Sequence, residues 1–264
     1  MPQSGLLTGR VLFIAGVGAQ MGAATASIAA REGAKVVLAA RNRDVIDQVA
    51  NDIGDAGGEA MAIQCDLTDK ASTESAVSAA QQHFGPIDRV FYNAGFYDND
   101  RDSIDVDEDL WQTTMDVNLN GALLLSRLTI PSMVEHGGGA FVFNSSAASL
   151  VAGQVRFGYQ VAKAGVNALT RFIAAKYGRD RIRANATLPF VVGGEVGAVA
   201  GAQNCIGRSG TAEEIGEAVT FLLSDRASII TGQVIHLDGG LFARASWPTN
   251  AAPFQPPAPL KTSH

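Results

Sequence analysis

Short runs of apolar residues alternate with longer segments of helical period from residue 10 to residue 240. Apolar runs without polar alternation are typical of strands that are buried on both faces of a parallel sheet. The predicted strands are residues 11–15, 35–40, 60–64, 89–92, 140–144, 183–187 and 234–237. The predicted helices are residues 21–32, 44–56, 70–84, 110–135, 157–178 and 212–224.

This alternation of strands and helices predicts the fold class, an α/β protein with a doubly wound, Rossmann-type parallel sheet of seven strands. No composition shift or linker divides the chain, so we predict a single domain over residues 1–245, although 264 residues would also suffice for two small domains. Residues 246–264 are rich in proline and poor in apolar anchors, which predicts a loose C-terminal arm. The alternative is that this arm lies across a neighbouring subunit.

Composition restricts the class of partner. The chain is 47% hydrophobic and 17% charged, which is typical of a globular protein, and its formal charge of -6 argues against a nucleic-acid partner. The apolar run at residues 11–19 is too short to cross a bilayer, so we expect no membrane partner. Cys65 and Cys205 form no disulfide framework and the four histidines are scattered, so we predict a cytoplasmic location and no metal site.

A glycine-rich segment, AGVGAQMGAA at residues 15–24, follows the first predicted strand and opens the first predicted helix. A Rossmann protein binds pyrophosphate at this place, because backbone N–H groups at a helix N-terminus face the anion. Gly16, Gly18 and Gly22 supply the glycines, but Met21 occupies the last position of G-x-G-x-x-G. We interpret the segment as a nucleotide-binding loop, with a tight structural turn as the alternative.

The end of the second predicted strand indicates which nucleotide would bind. An acidic residue here would bind ribose hydroxyls, whereas an arginine would bind a 2′-phosphate. The sequence VVLAARNRD places Arg41 and Arg43 at this turn, and its first carboxylate, Asp44, is expected to cap the following helix. The turn therefore favours NADP(H) over NAD(H), with a solvated basic turn as the alternative.

The segment FNSSAASLVAGQVRFGYQVAKAGVNAL contains a candidate catalytic group. Tyr159 and Lys163 are four residues apart in a predicted helix, so their side chains share one face. Ser146 stands thirteen residues before Tyr159, at the end of a predicted strand. Each residue alone has an ordinary structural interpretation. Their combination at these spacings favours catalysis.

With these residues the chain resembles a short-chain dehydrogenase/reductase of the single-domain type of about 250 residues. The resemblance also rests on Gly16 and Gly22, on CDLTD with Asp66, on NAG at residues 93–95, on DVNLNG with Asn118, and on TGQVIHLDGG at residues 231–240. It implies a nicotinamide cofactor and a homotetramer, and it implies that Asn118 helps to hold Lys163 through a water. The predicted cofactor-binding residues are Gly16, Gly18, Gln20, Met21, Gly22, Arg41, Asp66, Leu67, Asn93, Ala94, Gly95, Pro189 and Val192.

The chemistry of the group follows from its charges. Hydride transfer to a carbonyl leaves an alkoxide that must gain a proton, and a phenol of pKa about 10 is a poor base for the reverse step. An ammonium at 4 to 5 Å would favour the phenolate by about 4 kcal/mol at an effective dielectric constant of about 20. We therefore predict Tyr159 as the acid/base, Lys163 as the group that lowers its pKa, and Ser146 as the residue that holds the substrate oxygen.

The chain departs from the family pattern in two places. Ala15 and Gln20 replace the first threonine and the middle glycine of T-G-x-x-x-G-x-G, while Phe190 and Gly194 replace the glycine and threonine of P-G-x-x-x-T. We expect backbone groups near Val192 to bind the carboxamide instead. Eighteen residues separate Pro189 from Arg208, which predicts a short, mobile flap. The expected open, apolar pocket is lined by Phe96, Tyr97, Val151, Phe157 and Phe190.

These observations predict an NAD(P)-dependent oxidoreductase that interconverts a secondary alcohol and a ketone of small size. The alternatives are a 3-oxoacyl-thioester reductase and a nucleotide-sensing binding module with little or no turnover. An enoyl reductase is disfavoured, because that branch of the family separates its tyrosine and lysine more widely. The HGGG at residues 136–139 resembles a hydrolase oxyanion motif, but no G-x-S-x-G accompanies it, so its glycines are expected to end a helix.

Overall fold

The computed structural model describes residues 5–97, 106–151, 157–190, 192, 201 and 203–243. Seven parallel strands form one sheet in the order β3-β2-β1-β4-β5-β6-β7. The strands are β1 Val11–Ala15, β2 Lys35–Ala40, β3 Glu59–Gln64, β4 Arg89–Tyr92, β5 Gly139–Asn144, β6 Ile182–Pro189 and β7 Val234–Leu237. The helices of the described residues are α1 Met21–Arg31, α2 Arg43–Asp55, α3 Lys70–Phe84, α4 Glu108–Met115, α5 Gly121–Glu135, α6 Phe157–Tyr177 and α7 Ala212–Leu223.

Two apolar cores lie on opposite faces of the sheet. Phe13 and Phe143 belong to a core that includes residues of α3, α5 and α6. Leu12 and Ile14 belong to the other, which includes residues of α1, α2 and α7. Successive residues of a strand point to opposite faces, so a strand covered on both sides needs apolar residues at every position. This confirms the predicted fold class and its seven parallel strands.

The predicted helix over residues 110–135 is wrong in its interior. Five residues, Asp116–Asn120, form a π-helical turn between α4 and α5. The turn ends at Gly121, where a Cβ atom would collide with the hydroxyl of Tyr92, and this hydroxyl donates to Val117 O at 2.7 Å. The widened turn therefore makes room for a tyrosine side chain that the helical period of the sequence does not disclose.

The carboxyl edge of the sheet contains a switch point between β1 and β4. These two strands are neighbours, with Ala15 opposite Tyr92, but the chain reaches β2 and β3 on one side and β5 to β7 on the other. Parallel α/β sheets bind ligands in the crevice at such a point. The glycine loop follows β1, the NAG segment follows β4, and Ser146 lies two residues beyond the end of β5.

The amino edge of the sheet is held by an ionic network. Arg89 is buried and donates to Asp225 Oδ1 at 2.8 Å, while Arg10 pairs with both Asp88 and Asp225. Arg183 donates to backbone carbonyls at the end of α7. The network joins segments that are far apart in sequence at the edge opposite the crevice.

The HGGG segment ends a helix, as predicted. His136 is the C-terminal cap residue of α5, and Gly138 has a φ of 122° and donates to Met133 O at 2.7 Å. A Cβ at Gly138 would meet the Arg181 side chain at 2.8 Å, so the turn requires glycine. None of the helices within the described ranges is long and apolar enough to cross a membrane.

Candidate active site

The glycine loop contains one glycine that the backbone requires, one that is closely packed and one that has neither constraint. Gly16 has a φ of 86°, and a Cβ there would collide with the backbone of Ala94. At Gly22 a Cβ would lie 3.0 Å from Val17 Cα. At Gly18 a Cβ would meet nothing within 4 Å, and its φ is outside the left-handed region. Space at Gly18 is therefore open to a ligand rather than filled by the protein.

The start of α1 is exposed to an anion. Gln20 precedes the helix, its side chain makes no capping hydrogen bond, and the first turn contains no acidic residue. The N–H groups and the positive end of the helix dipole are thus left to a bound anion. Gln20, which replaces the family's middle glycine, is exposed at the rim of the crevice. These features fit the diphosphate of a nicotinamide dinucleotide.

A cavity of about 590 Å³ extends from this loop across the switch point to α6. Its volume is in the range of small-molecule and cofactor sites. The predicted residues that line it are Gly16, Gly18, Gln20, Met21, Gly22, Arg41, Asp66, Leu67, Asn93, Ala94, Gly95, Tyr159 and Lys163. Four predicted residues are not among the described residues of its lining, namely Asn118, Ser146, Pro189 and Val192. Pro189 ends β6, and Val192 forms an isolated bridge with Gly210.

The two arginines after β2 have different positions. Arg41 is exposed and lines the cavity, and its carbonyl accepts from Gln64 Nε2 at 3.0 Å. Arg43 donates instead to Asp47 at 2.7 Å, one helical turn further on. The helix is capped by Asn42, whose side chain accepts from Val45 N, so the predicted cap at Asp44 is wrong. A single guanidinium therefore faces the cavity from this turn.

Asp66 holds its own loop. Its Oδ1 accepts from the backbone N–H of Thr68 at 2.9 Å and from the hydroxyl of Thr68 at 2.7 Å. These hydrogen bonds, aided by the charge of Arg41, hold the pKa of Asp66 below its usual value. The carboxylate is thus charged and fixed at the cavity wall beside Leu67.

Tyr159 and Lys163 lie together on the buried face of α6. Both are buried, and the Lys163 Nζ atom is 5.5 Å from the centroid of the Tyr159 ring. Lys163 donates from Nζ to Asn144 O at 2.8 Å. Burial lowers the pKa of Lys163 to about 7, because an ammonium without bulk water is disfavoured. The ammonium form of Lys163 is therefore less favoured here than in water.

Ser146 begins a 3-10 turn, Ala147–Ser149, and its Oγ accepts from Ala148 N at 3.2 Å. The turn is tied to α6, because Asn167 Nδ2 donates to Ser149 Oγ at 2.8 Å. An accepting hydroxyl can still donate its own proton. Ser146 is thus fixed in position with a donor available.

Asn118 lies in the π-helical turn and binds the segment after NAG. Its Nδ2 donates to Phe96 O at 2.8 Å and to Thr114 O at 2.9 Å, and its Oδ1 accepts from Phe96 N at 3.3 Å. The side chain is committed to Phe96 and Thr114. The water-mediated link to Lys163 stays a prediction.

Two further features surround the pair. The ring of Tyr97 lies 4.8 Å from that of Tyr159 and lines the cavity, while its side chain is 56% exposed. Asn144, which is not among the predicted site residues, donates from Nδ2 to Asn93 Oδ1 at 2.9 Å. The available signal was a polar residue at the end of an otherwise apolar strand.

The expected substrate pocket is described in part. Phe157 stacks on Trp111 with ring centroids 5.4 Å apart, Val151 is exposed, and Phe190 N–H donates to Leu237 O at 3.4 Å. Gly194, residues 193–200 and 202 of the predicted flap, and the predicted arm at residues 246–264 lie outside the described residues.

Comparisons with known proteins cover most of the chain. A family model described as enoyl-(acyl carrier protein) reductase matches residues 16–242. The chain is 35% identical to the cis-4-hydroxycyclohexanecarboxylate dehydrogenase of Sinomonas cyclohexanicum, over 89% of this chain and 97% of that protein. It is 32% identical to the cyclohexanol dehydrogenase of Acinetobacter sp. (strain SE19), over 87% of this chain and 94% of that protein.

Among solved structures, a short-chain type dehydrogenase/reductase from Mycobacterium ulcerans superposes with a TM-score of 0.84 at 29% identity, covering 90% of this chain and 91% of that chain. The similarity thus spans the glycine loop, the switch point and α6 together. The chain therefore belongs to the short-chain dehydrogenase/reductase family, as an oxidoreductase that uses a nicotinamide cofactor.

Proposed function

We propose that the protein interconverts a secondary alcohol and a ketone of small size, with Tyr159 as the general acid/base. The observation that carries the proposal is the position of Tyr159 and Lys163, buried together in the same cavity as the glycine loop. The nicotinamide cofactor, when bound, supplies or accepts the hydride. The loop fits its diphosphate, because the space at Gly18 is open and the start of α1 has no side-chain cap.

Lys163 makes Tyr159 a usable base. Lowering a phenol pKa from about 10 to about 7 requires a preference of about 4 kcal/mol for the phenolate. A unit charge at the 5.5 Å that separates Nζ from the ring centroid contributes about 3 kcal/mol at an effective dielectric constant of about 20. A protonated Lys163 therefore accounts for most of the required shift, and a phenolate at Tyr159 in turn favours the ammonium that burial disfavours. Tyr159 donates its proton to the forming alkoxide in the reductive direction.

Ser146 and Asn118 support this proton transfer in different ways. Ser146 donates its hydroxyl proton to the substrate oxygen, which positions the carbonyl and stabilises the developing negative charge. Asn118 fixes the backbone at Phe96, next to Tyr97, and so shapes the cavity beside Tyr159. We assign Ser146, Tyr159 and Lys163 to the reacting centre and Asn118 to its support.

The cofactor is NADP(H) in preference to NAD(H). Arg41 reaches the cavity at the end of β2 and would pair with a 2′-phosphate, whereas Asp44, the first carboxylate after β2, is not among the described residues that line the cavity. The pairing of Arg43 with Asp47 leaves one guanidinium rather than two, so the preference is smaller than two arginines would give. The family resemblance supports a homotetramer, which light scattering after gel filtration tests.

The substrate class follows from the aromatic wall and from the relatives. Tyr97 presents a half-exposed ring beside Tyr159, which suits a flat or alicyclic carbon skeleton. Relatives named for cyclohexanol and for a hydroxycyclohexane carboxylate support an alicyclic secondary alcohol. An enoyl reductase is the second candidate, favoured by the description of the matching family model. The four-residue spacing of Tyr159 and Lys163 supports the ketone chemistry.

The test follows oxidation of the reduced nicotinamide by its near-ultraviolet absorbance, with NADPH and NADH, against a panel of ketones that includes cyclohexanone. Tyr159→Phe is expected to lose about 100-fold or more in kcat. Tyr177→Phe, a partly buried tyrosine at the end of the same helix, is the matched control. Comparable turnover by Tyr159→Phe would remove the mechanism. Nucleotide binding without turnover of any ketone or enoyl thioester would favour the nucleotide-sensing module.

A further inference from the structure

Asn144, the last residue of β5, connects two parts of the cavity. Its backbone carbonyl accepts from Lys163 Nζ at 2.8 Å, and its side-chain Nδ2 donates to Asn93 Oδ1 at 2.9 Å. Asn93 Nδ2 in turn donates to Gly16 O at 2.8 Å. An unbroken chain of hydrogen bonds therefore runs from the glycine loop after β1, through β4 and β5, to the lysine on α6.

The orientation of both amides in this chain is determined. Gly16 O can only accept, so Asn93 must turn its Nδ2 toward the glycine loop and its Oδ1 toward Asn144. Asn144 must then donate with Nδ2. Both amides are therefore locked in a single direction, and neither can flip without losing a buried hydrogen bond.

Packing alone does not account for Asn144. The three residues before it, Phe141, Val142 and Phe143, are apolar and buried, and Asn144 is itself 7% exposed. Its Oδ1 is buried with no hydrogen-bond partner among the described residues. A buried carbonyl oxygen without a partner is destabilising, so a side chain kept at this cost serves a purpose other than filling the core.

We propose that Asn144 is a positioning residue that couples nucleotide binding at the glycine loop to the placement of the Lys163 ammonium. A nucleotide that orders the loop fixes Gly16 O, which fixes Asn93 and, through it, the end of β5 that accepts from Nζ. The titratable group that faces Lys163 in the described part of the chain is Tyr159, and Asn144 is the polar contact from β5. This inference rests on the proposed function and adds to it a positioning role for a residue outside the family's catalytic set.

The test uses Asn144→Leu, because leucine is close to asparagine in shape. The substitution keeps the backbone carbonyl that binds Lys163 and removes the hydrogen bond to Asn93. The readout is the Kd of NADPH, measured by nucleotide fluorescence across the neutral and mildly alkaline range. We expect a Kd about fivefold to tenfold higher, the factor typical of one lost buried hydrogen bond. We also expect the pH at which affinity falls to move downward, because the Asn144 carbonyl that accepts from Nζ is held less firmly and stabilises the ammonium less.

Asn185→Leu is the matched control. Asn185 is a fully buried asparagine of the adjacent strand β6, and it binds Ile230 O and Gln233 N rather than the cavity. It is expected to lower the melting temperature without moving the pH profile of binding. If Asn144→Leu behaves in the same way, Asn144 is merely structural and the proposal is overturned.

A double-mutant cycle supplies the second measurement. If the two side chains act in one series of hydrogen bonds, Asn93→Ala and Asn144→Leu together should raise the Kd by about as much as the single substitution with the larger effect. Independent multiplication of the two effects would overturn the coupling. If Asn144→Leu does not fold, Asn93→Ala alone must reproduce the shift in the pH profile. Because binding is measured without turnover, failure of the coupling is distinguishable from failure of the proposed reaction.

Discussion

The glycine loop offers a direct comparison between a glycine required for folding and a glycine kept free for a ligand. At Gly16 an alanine would be placed at a φ of 86° with its Cβ inside the backbone of Ala94. A left-handed φ costs a residue with a side chain about 1–2 kcal/mol, and the collision adds about 1–3 kcal/mol. We expect Gly16→Ala to lose about 2–5 kcal/mol of unfolding free energy, which lowers the melting temperature by about 5 to 15 °C.

Gly18→Ala is the counterpart, because a Cβ at Gly18 meets no atom within 4 Å. We expect its melting temperature without nucleotide to stay within about 2 °C of that of the unaltered protein, since surface changes of this kind are nearly neutral. Its Kd for NADPH should rise about tenfold, because the methyl group occupies space that the diphosphate would enter.

The assay is thermal unfolding of both variants, followed by nucleotide titration of Gly18→Ala. A Gly16→Ala protein as stable as the unaltered one would show that the steric argument is wrong. A Gly18→Ala protein that binds NADPH normally would show that the nucleotide does not approach the loop at this position.

Three further predictions concern the cavity. Lys163→Met should abolish turnover. It should also raise the free energy of unfolding by at most about a few kcal/mol, and the melting temperature with it, since it removes a buried ammonium. Between the folded pKa of about 7 and the ordinary value of 10.5, Lys163 is protonated in the unfolded state but not in the folded state. The gain in stability from its removal should therefore be full below pH 7 and disappear as the pH rises toward 10.5. Arg41→Gln should raise the KM for NADPH about tenfold and leave that for NADH unchanged, with Arg43→Gln as the control; equal effects on both nucleotides would contradict the 2′-phosphate contact. Tyr97→Ala should raise the KM for cyclohexanone several-fold more than that for acetone, whereas Tyr97→Phe should match the unaltered protein.

The sheet could be predicted because its physics is local. A strand buried on both faces must be apolar at every position, and the runs at residues 11–15 and 35–40 have the same bounds in the structure as in the sequence pattern. Helical spacing places Tyr159 and Lys163 on one face, and the family resemblance implies that this pair is catalytic. The π-helical turn was not predicted, since one additional residue within a long apolar helix leaves little mark on its period.

The sequence could not predict which polar side chains form hydrogen bonds or ion pairs with one another. Asn42, Arg43 and Asp44 are adjacent in the sequence. Which of them caps α2 and which forms an ion pair depends on side-chain geometry that only the folded helix determines. The bond between Asn93 and Asn144 depends on the register of β4 against β5, which brings together residues 51 positions apart. Long-range pairings of polar side chains leave no periodic signal in the chain.

The switch point between β1 and β4 also has an evolutionary consequence. Arg41, the proposed contact of a 2′-phosphate, follows β2, whereas Tyr159 and Lys163, the proposed proton-transfer groups, lie on α6 on the other side of the crevice. Exchange of a few residues after β2 can thus change the preferred nucleotide between NADP(H) and NAD(H), and with it the direction of the reaction in the cell. The stereochemistry and the substrate range are inherited unchanged.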